Sequence, residues 1–66
     1  MTVIVTPAHC RAIGYCARGV RAAFARWRID YSKFLAEGIC ADDLLSASNN
    51  DSMAVAAVEV ARGEQQ

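Results

Sequence analysis

No stretch of this 66-residue chain is apolar for anything near the roughly 20 residues that a membrane-spanning helix needs. The longest uncharged apolar runs cover residues 2–8 and 53–58. The first of them lacks the basic leader and the small-residue cleavage site of a secretory signal, so the expectation is a soluble, non-secreted protein with no membrane contact. Cysteine is present only as Cys10, Cys16 and Cys40, an odd number at spacings that match no common disulfide framework. That favours a reducing compartment, the cytosol by default. A partner for the strand-like run Thr2-Val3-Ile4-Val5-Thr6 is missing as well: no second β-branched run exists for it to pair with. It is therefore expected to be an extended arm over residues 1–6 or an intermolecular ribbon.

What is present argues against disorder. Hydrophobic residues make up 55% of the chain and charged ones 21%, more apolar content than a small soluble monomer requires. At this length there is room for a single domain, residues 1–66, and such a domain buries only about 60% of the surface its unfolded chain exposes. Part of the apolar surface is therefore expected to meet another chain.

The organising segment is Gly14-Tyr15-Cys16-Ala17-Arg18-Gly19-Val20-Arg21-Ala22-Ala23-Phe24-Ala25-Arg26-Trp27. At about 100° per residue, Ile13, Cys16, Ala17, Val20, Ala23, Phe24 and Trp27 share one side of a helix, and Arg11, Arg18, Arg21 and Arg28 share the other. Before it, Thr6 and Pro7 read as the cap and first position of a short helix ending near Ile13. After it, Asp30 caps a helix over residues 31–37 that Gly38 ends, with Tyr31, Phe34 and Leu35 facing inward. Residues 41–46 form another short helix with Asp42 and Asp43 in its first turn, its Leu44 and Leu45 pointing inward. The loop Ser48-Asn49-Asn50-Asp51 supplies a cap, from Asn50 or Asp51, for a last helix over residues 52–62, and residues 63–66 are expected to fray. The fold class is all-α: a compact bundle of three to five short helices with an extended N-terminal arm. The last helix is apolar nearly all round, and so short a chain has little to surround it. Met53, Ala57, Val58 and Ala61 are accordingly assigned to the interface of a homodimer. Gly19, on the flank of the apolar face, is read as a site of close helix approach.

Charge is balanced overall yet lopsided along the chain. Residues 1–36 hold six basic side chains against Asp30, and residues 37–66 hold six acidic ones against Arg62. The plainest reading is that the two halves neutralise each other on folding; the others are head-to-tail self-association and an anionic partner. Six arginines stand against one lysine, and the planar guanidinium suits two-point contact with carboxylate or phosphate. Arg11, Arg18, Arg21 and Arg28, with Tyr15 and Trp27 as aromatic anchors, form the candidate partner-binding set. Arg18, Arg21 and Arg28 are expected to project together from the main helix.

His9, Cys10, Cys16 and Cys40 are enough in number for a tetrahedral zinc, but their spacing fits no usual ligand pairs, and Cys16 reads as a buried thiol on the apolar face. A His9–cysteine nucleophile would need an orienting group and a pocket that so short a chain hardly builds. The expectation is no metal, no cofactor and no catalytic residue. Nucleic-acid binding through the arginines remains the alternative, although neither helix-turn-helix nor zinc-finger fingerprint is present.

From Ala12 to Arg62 the chain resembles a class of short proteins encoded by tailed bacteriophages and prophages. The residues that carry this are Gly14-Tyr15-Cys16, Gly19, Arg21, Phe24, Asp30, Phe34, Gly38-Ile39, Leu44-Leu45 and Asp51-x-Met53-Ala54. Cys40 and the longer loop Ser48-Asn49-Asn50-Asp51 depart from the pattern. The resemblance implies a phage origin and an accessory, non-enzymatic role in the host bacterial cytoplasm. It implies binding and inhibition of a host bacterial protein, anti-CRISPR action being one form, with a nucleic-acid regulator or a minor virion component as alternatives.

Overall fold

A computed structural model describes residues 3–65 of the chain. Five helices surround one core: α1 (Pro7–Ala12), α2 (Ala17–Arg26), α3 (Tyr31–Glu37), α4 (Ala41–Ser48) and α5 (Ser52–Glu64). Two short strands, β1 (Ile4–Val5) and β2 (Ile39–Cys40), pair antiparallel with Ile4 opposite Cys40 and Val5 opposite Ile39. The fold is therefore mostly helical rather than strictly all-α. The expected free arm instead carries the structural strand Ile4–Val5; Met1 and Thr2 lie outside the described residues.

Two of the helices start where a carboxylate satisfies one of their orphan N–H groups. The Asp30 carboxylate accepts from the Lys33 N–H at 3.1 Å, and that of Asp51 accepts from the Met53 N–H at 3.0 Å. The latter settles the choice between Asn50 and Asp51. Helix α4 begins at Cys40, whose thiol makes no capping bond; the Ala41 N–H instead donates to the Val3 carbonyl at 2.8 Å. The first chain segment thus supplies the acceptor that the local sequence lacks.

Asn49 closes α4 in the left-handed conformation and Asn50 follows in the same region (φ 56° and 58°), which asparagine tolerates better than most residues. Helix α2 ends at Arg26, within the expected range of residues 26–28, and Arg28 at φ 60° turns the chain away. Gly38, at φ 77°, ends α3 and lies against β1: a Cβ there would stand 2.7 Å from Ile4 Cγ2 and 2.8 Å from the Val5 carbonyl oxygen. Only glycine fits both demands.

The core is built from Val5, Cys10, Val20, Ala23, Phe24, Phe34, Leu44, Met53, Ala54, Ala57, Val58 and Ala61, among others. Phe24 is its aromatic centre, with ring centroids 4.5 Å from Phe34, 5.9 Å from Trp27 and 6.0 Å from Tyr31. Helix α5 packs on α1, α4 and β1 of the same chain. Met53, Ala57, Val58 and Ala61, assigned from sequence to a dimer interface, are only 0–7% exposed, so they are this chain's own core. The correction has a simple cause: with Ala54, Ala57 and Ala61 on its buried side, α5 lets neighbours approach closely and needs few of them to be covered.

The tail is ordered beyond the expected fraying point. Helix α5 runs to Glu64, and the Gln65 side-chain amide pairs with both backbone groups of Ile4. Its Oε1 accepts from the Ile4 N–H (3.1 Å) and its Nε2 donates to the Ile4 carbonyl (2.7 Å), as the backbone of a third strand would. Gln66 lies outside the described residues.

Gly19 proves not to be a close-approach site. A Cβ there would meet only Cys16 Sγ at 3.6 Å, an ordinary contact. Gly19→Ala is therefore expected to stabilise the protein by about 0.5–1 kcal/mol, the usual cost of a helical glycine relative to alanine. Thermal denaturation with a raised Tm is the check.

Candidate functional site

The exposed face of α2 is the candidate interaction surface. Val20, Ala23 and Phe24 turn into the core, and Arg18, Arg21, Ala22, Ala25 and Arg26 are exposed. On a helix of 3.6 residues per turn, Arg18 lies within about 80° of both Arg21 and Arg26. The two alanines between them leave a low floor between arginine flanks.

The sequence-derived set is redistributed by this geometry. Arg18 and Arg21 are on the helix as expected. Arg28 is not: it follows the end of α2 in a left-handed turn, and Arg26 takes its place on the face. The end of this helix was expected near residues 26–28, and it falls at the first of them, which leaves Arg28 outside the helix. Arg11 is exposed on α1, a different element. Trp27 is half-buried against Phe24, whereas Tyr15, at the start of the segment leading into α2, is 39% exposed. Cys16 and Ala17 depart from the expected apolar stripe, since both are exposed, whereas Ile13 is half-buried against the core.

Among the described residues the basic and acidic halves make no direct arginine or lysine to carboxylate pair within 4.0 Å; the one basic side chain that comes so close is His9, whose Nε2 lies 3.1 Å from Glu64 Oε1. Arg11, Arg18, Arg21, Arg26, Arg28 and Lys33 are all exposed, so their charges face solvent unpaired.

His9 is buried and fully used by the fold. Its Nδ1 accepts from the Thr6 N–H at 2.9 Å and lies 3.1 Å from Thr6 Oγ1, filling the place that a glutamate takes in a capping box. A ring nitrogen that accepts carries no proton, so the proton sits on Nε2 and is donated to Glu64 Oε1 at 3.1 Å. The cysteines stand in three environments: Cys10 buried, Cys40 half-buried at the start of α4, and Cys16 exposed as the cap of α2, its sulfur accepting from the Gly19 N–H at 3.4 Å. Among the described residues no three His, Cys, Asp or Glu side chains are grouped to hold a metal ion. The His9, Cys10, Cys16 and Cys40 set is thus not assembled into a site.

Burial pushes the Cys10 thiol up from its ordinary value, and the Arg11 charge beside it opposes this only in part. A disulfide-exchange reagent at neutral pH is therefore expected to titrate Cys16 at once and Cys40 more slowly. Cys10 should be modified only when the chain is unfolded, because the thiolate is the reacting form and access is required. Time-resolved thiol counting with and without denaturant checks this order.

The described residues also form concavities. A groove of about 340 Å³ between α3, β2 and α4 is lined by Asp30, Lys33, Ile39, Cys40 and Asp43, a mixture of charges. A smaller cleft of about 70 Å³ lies where α1, the start of α2 and α3 meet. Among the described residues no helix is long and apolar enough to cross a membrane. Compared with known proteins, the chain matches no protein-family model, no curated protein and no solved structure.

Proposed function

We propose that this chain is a non-enzymatic binding protein that engages an acidic protein surface through the Arg18, Arg21 and Arg26 face of α2. The observation that carries the reading is that these guanidinium groups are exposed and none is paired with a carboxylate among the described residues. A surface charge that is not spent within the fold is free for two-point contact with carboxylates. The phage-like pattern extends the proposal: a phage or prophage accessory protein that acts in the host bacterial cytoplasm by occupying a host protein, with anti-CRISPR action as one form. The same unpaired arginines support a second reading, a regulator that follows nucleic-acid phosphates.

Affinity capture from bacterial lysate with and without nuclease separates the two. A partner retained after digestion supports the protein-binding reading, and retention lost on digestion supports the nucleic-acid one. Charge reversal at Arg18 and Arg21 together is expected to abolish retention. It should leave stability within about 0.5 kcal/mol of the parent, because exposed positions with no partner contribute little. A large fall in Tm with retention intact on the folded fraction would contradict the assignment.

A further inference from the structure

The turn that joins β1 to α1 is held by the chain's one histidine. The His9 side chain is only 3% exposed and lies between two partners of opposite demand. On one side Nδ1 accepts from the Thr6 N–H at 2.9 Å; on the other Nε2 lies 3.1 Å from Glu64 Oε1 in the last turn of α5. The first contact requires a bare ring nitrogen and the second a protonated one. The neutral ring with its proton on Nε2 satisfies both at once.

A second proton breaks this match at one place. Nε2–H keeps its carboxylate acceptor, and the bond becomes charge-assisted. Nδ1–H, however, turns into a donor facing the Thr6 N–H at hydrogen-bond distance. Thr6 Oγ1, 3.1 Å from Nδ1, can rotate its hydroxyl and accept from it. The amide cannot adapt in that way, because the peptide plane fixes the direction of its N–H.

The other contacts that place β1 join amides to carbonyls and hold no ionisable group. Val3 accepts from the Ala41 N–H, Ile4 is bonded through both backbone groups to the Gln65 side chain, and β1 pairs with β2. Among the elements packed on α1, Glu64 of α5 carries the one carboxylate within 4.0 Å of the ring. Glu59 and Arg62 of α5, Arg18, Arg21 and Arg26 of α2 and Arg11 of α1 itself are exposed to solvent. Cys10, next to His9 in the chain, is buried, and its thiol is held neutral by that burial.

We infer that the Thr6–His9 pair is an acid-sensitive joint: protonation of the ring releases the Thr6 N–H and loosens β1 from α1, while the Glu64 contact at the other nitrogen holds. The joint uses none of the arginines of α2, so it stands or falls independently of the function proposed above.

Nitrogen-15 NMR on the full chain between about pH 8 and about pH 5.5 tests the inference, a range in which imidazoles take up a proton and carboxylates stay ionised. At the upper end the ring is expected as the Nε2–H tautomer. As it takes up its second proton, the Thr6 amide resonance should move in step. Protection of that amide against exchange, corrected for the intrinsic effect of pH, should fall about two- to tenfold, the range for loss of one hydrogen bond. His9→Gln is the control: glutamine at the third helical position can accept from the cap N–H but does not titrate, so the pH response of Thr6 should vanish. A ring found as the Nδ1–H tautomer, or one that takes up no proton by about pH 5.5, overturns the inference whatever the variant does. So does a Thr6 amide that keeps its resonance and protection while the ring titrates, or a Thr6 response that persists in His9→Gln.

Discussion

Gly38→Ala is expected to leave the protein largely unfolded at 37 °C. The substitution meets two obstacles at once. At φ 77° and ψ −173° the backbone is in a region that side-chain-bearing residues rarely enter, at a cost of order 1–3 kcal/mol. The new Cβ would also lie 2.8 Å from the Val5 carbonyl oxygen. That atom is backbone in the β1–β2 pair, so relief requires the strands to part, and Val5 is itself fully buried. A chain of this size has a total stability of only about 3–10 kcal/mol at 0.05–0.15 kcal/mol per residue. Loss of the cooperative urea transition, or a midpoint shifted to near zero denaturant, is the expected readout. By contrast Gly14→Ala, where φ is 87° but no atom lies within 4 Å of the added Cβ, carries the conformational cost alone and should keep a cooperative transition.

The second large effect is expected at Val58→Asp. Val58 is 2% exposed, and an aspartate there would bury a charge with no partner, which proteins avoid by unfolding or by keeping the acid neutral. The expected result is an unfolded chain at neutral pH. Had Val58 formed a subunit interface, the same change would give a folded monomer instead. Circular dichroism together with sedimentation separates these outcomes, and Val55→Asp, three residues earlier on the exposed side of the same helix, is the control that should remain folded.

That contrast shows what a linear reading of these residues could and could not reach. The caps were legible, since Asp30, Asp51 and the Thr6-Pro7 pair act through neighbours two or three positions away. Gly38 was legible as the end of a helix, and α3 has the expected bounds. Less accessible was β2: two residues carry no periodicity, so Ile39 and Cys40 could not be seen as the partner of the β1 run. Helix α5 read as uncovered because hydropathy does not tell how closely alanines let α1, α4 and β1 approach. On the candidate site, Arg18 and Arg21 were placed correctly. Arg26 and Arg28 were exchanged because a left-handed turn at an arginine leaves no mark on an apolar pattern. Glu64 and Gln65 were out of reach, since their partners His9 and Ile4 lie 55 and 61 positions away.

Those last contacts bear on how the chain acquires its fold. Loop-closure entropy must be met before a pairing across almost the full chain can contribute, so the Gln65 amide docks on Ile4 only after the helices between them are largely in place. Because β1 also packs on α5, its packing is complete only once that helix has docked. In hydrogen exchange the Ile4 amide, bonded to the last turn, then reports opening of the two chain ends as a single unit.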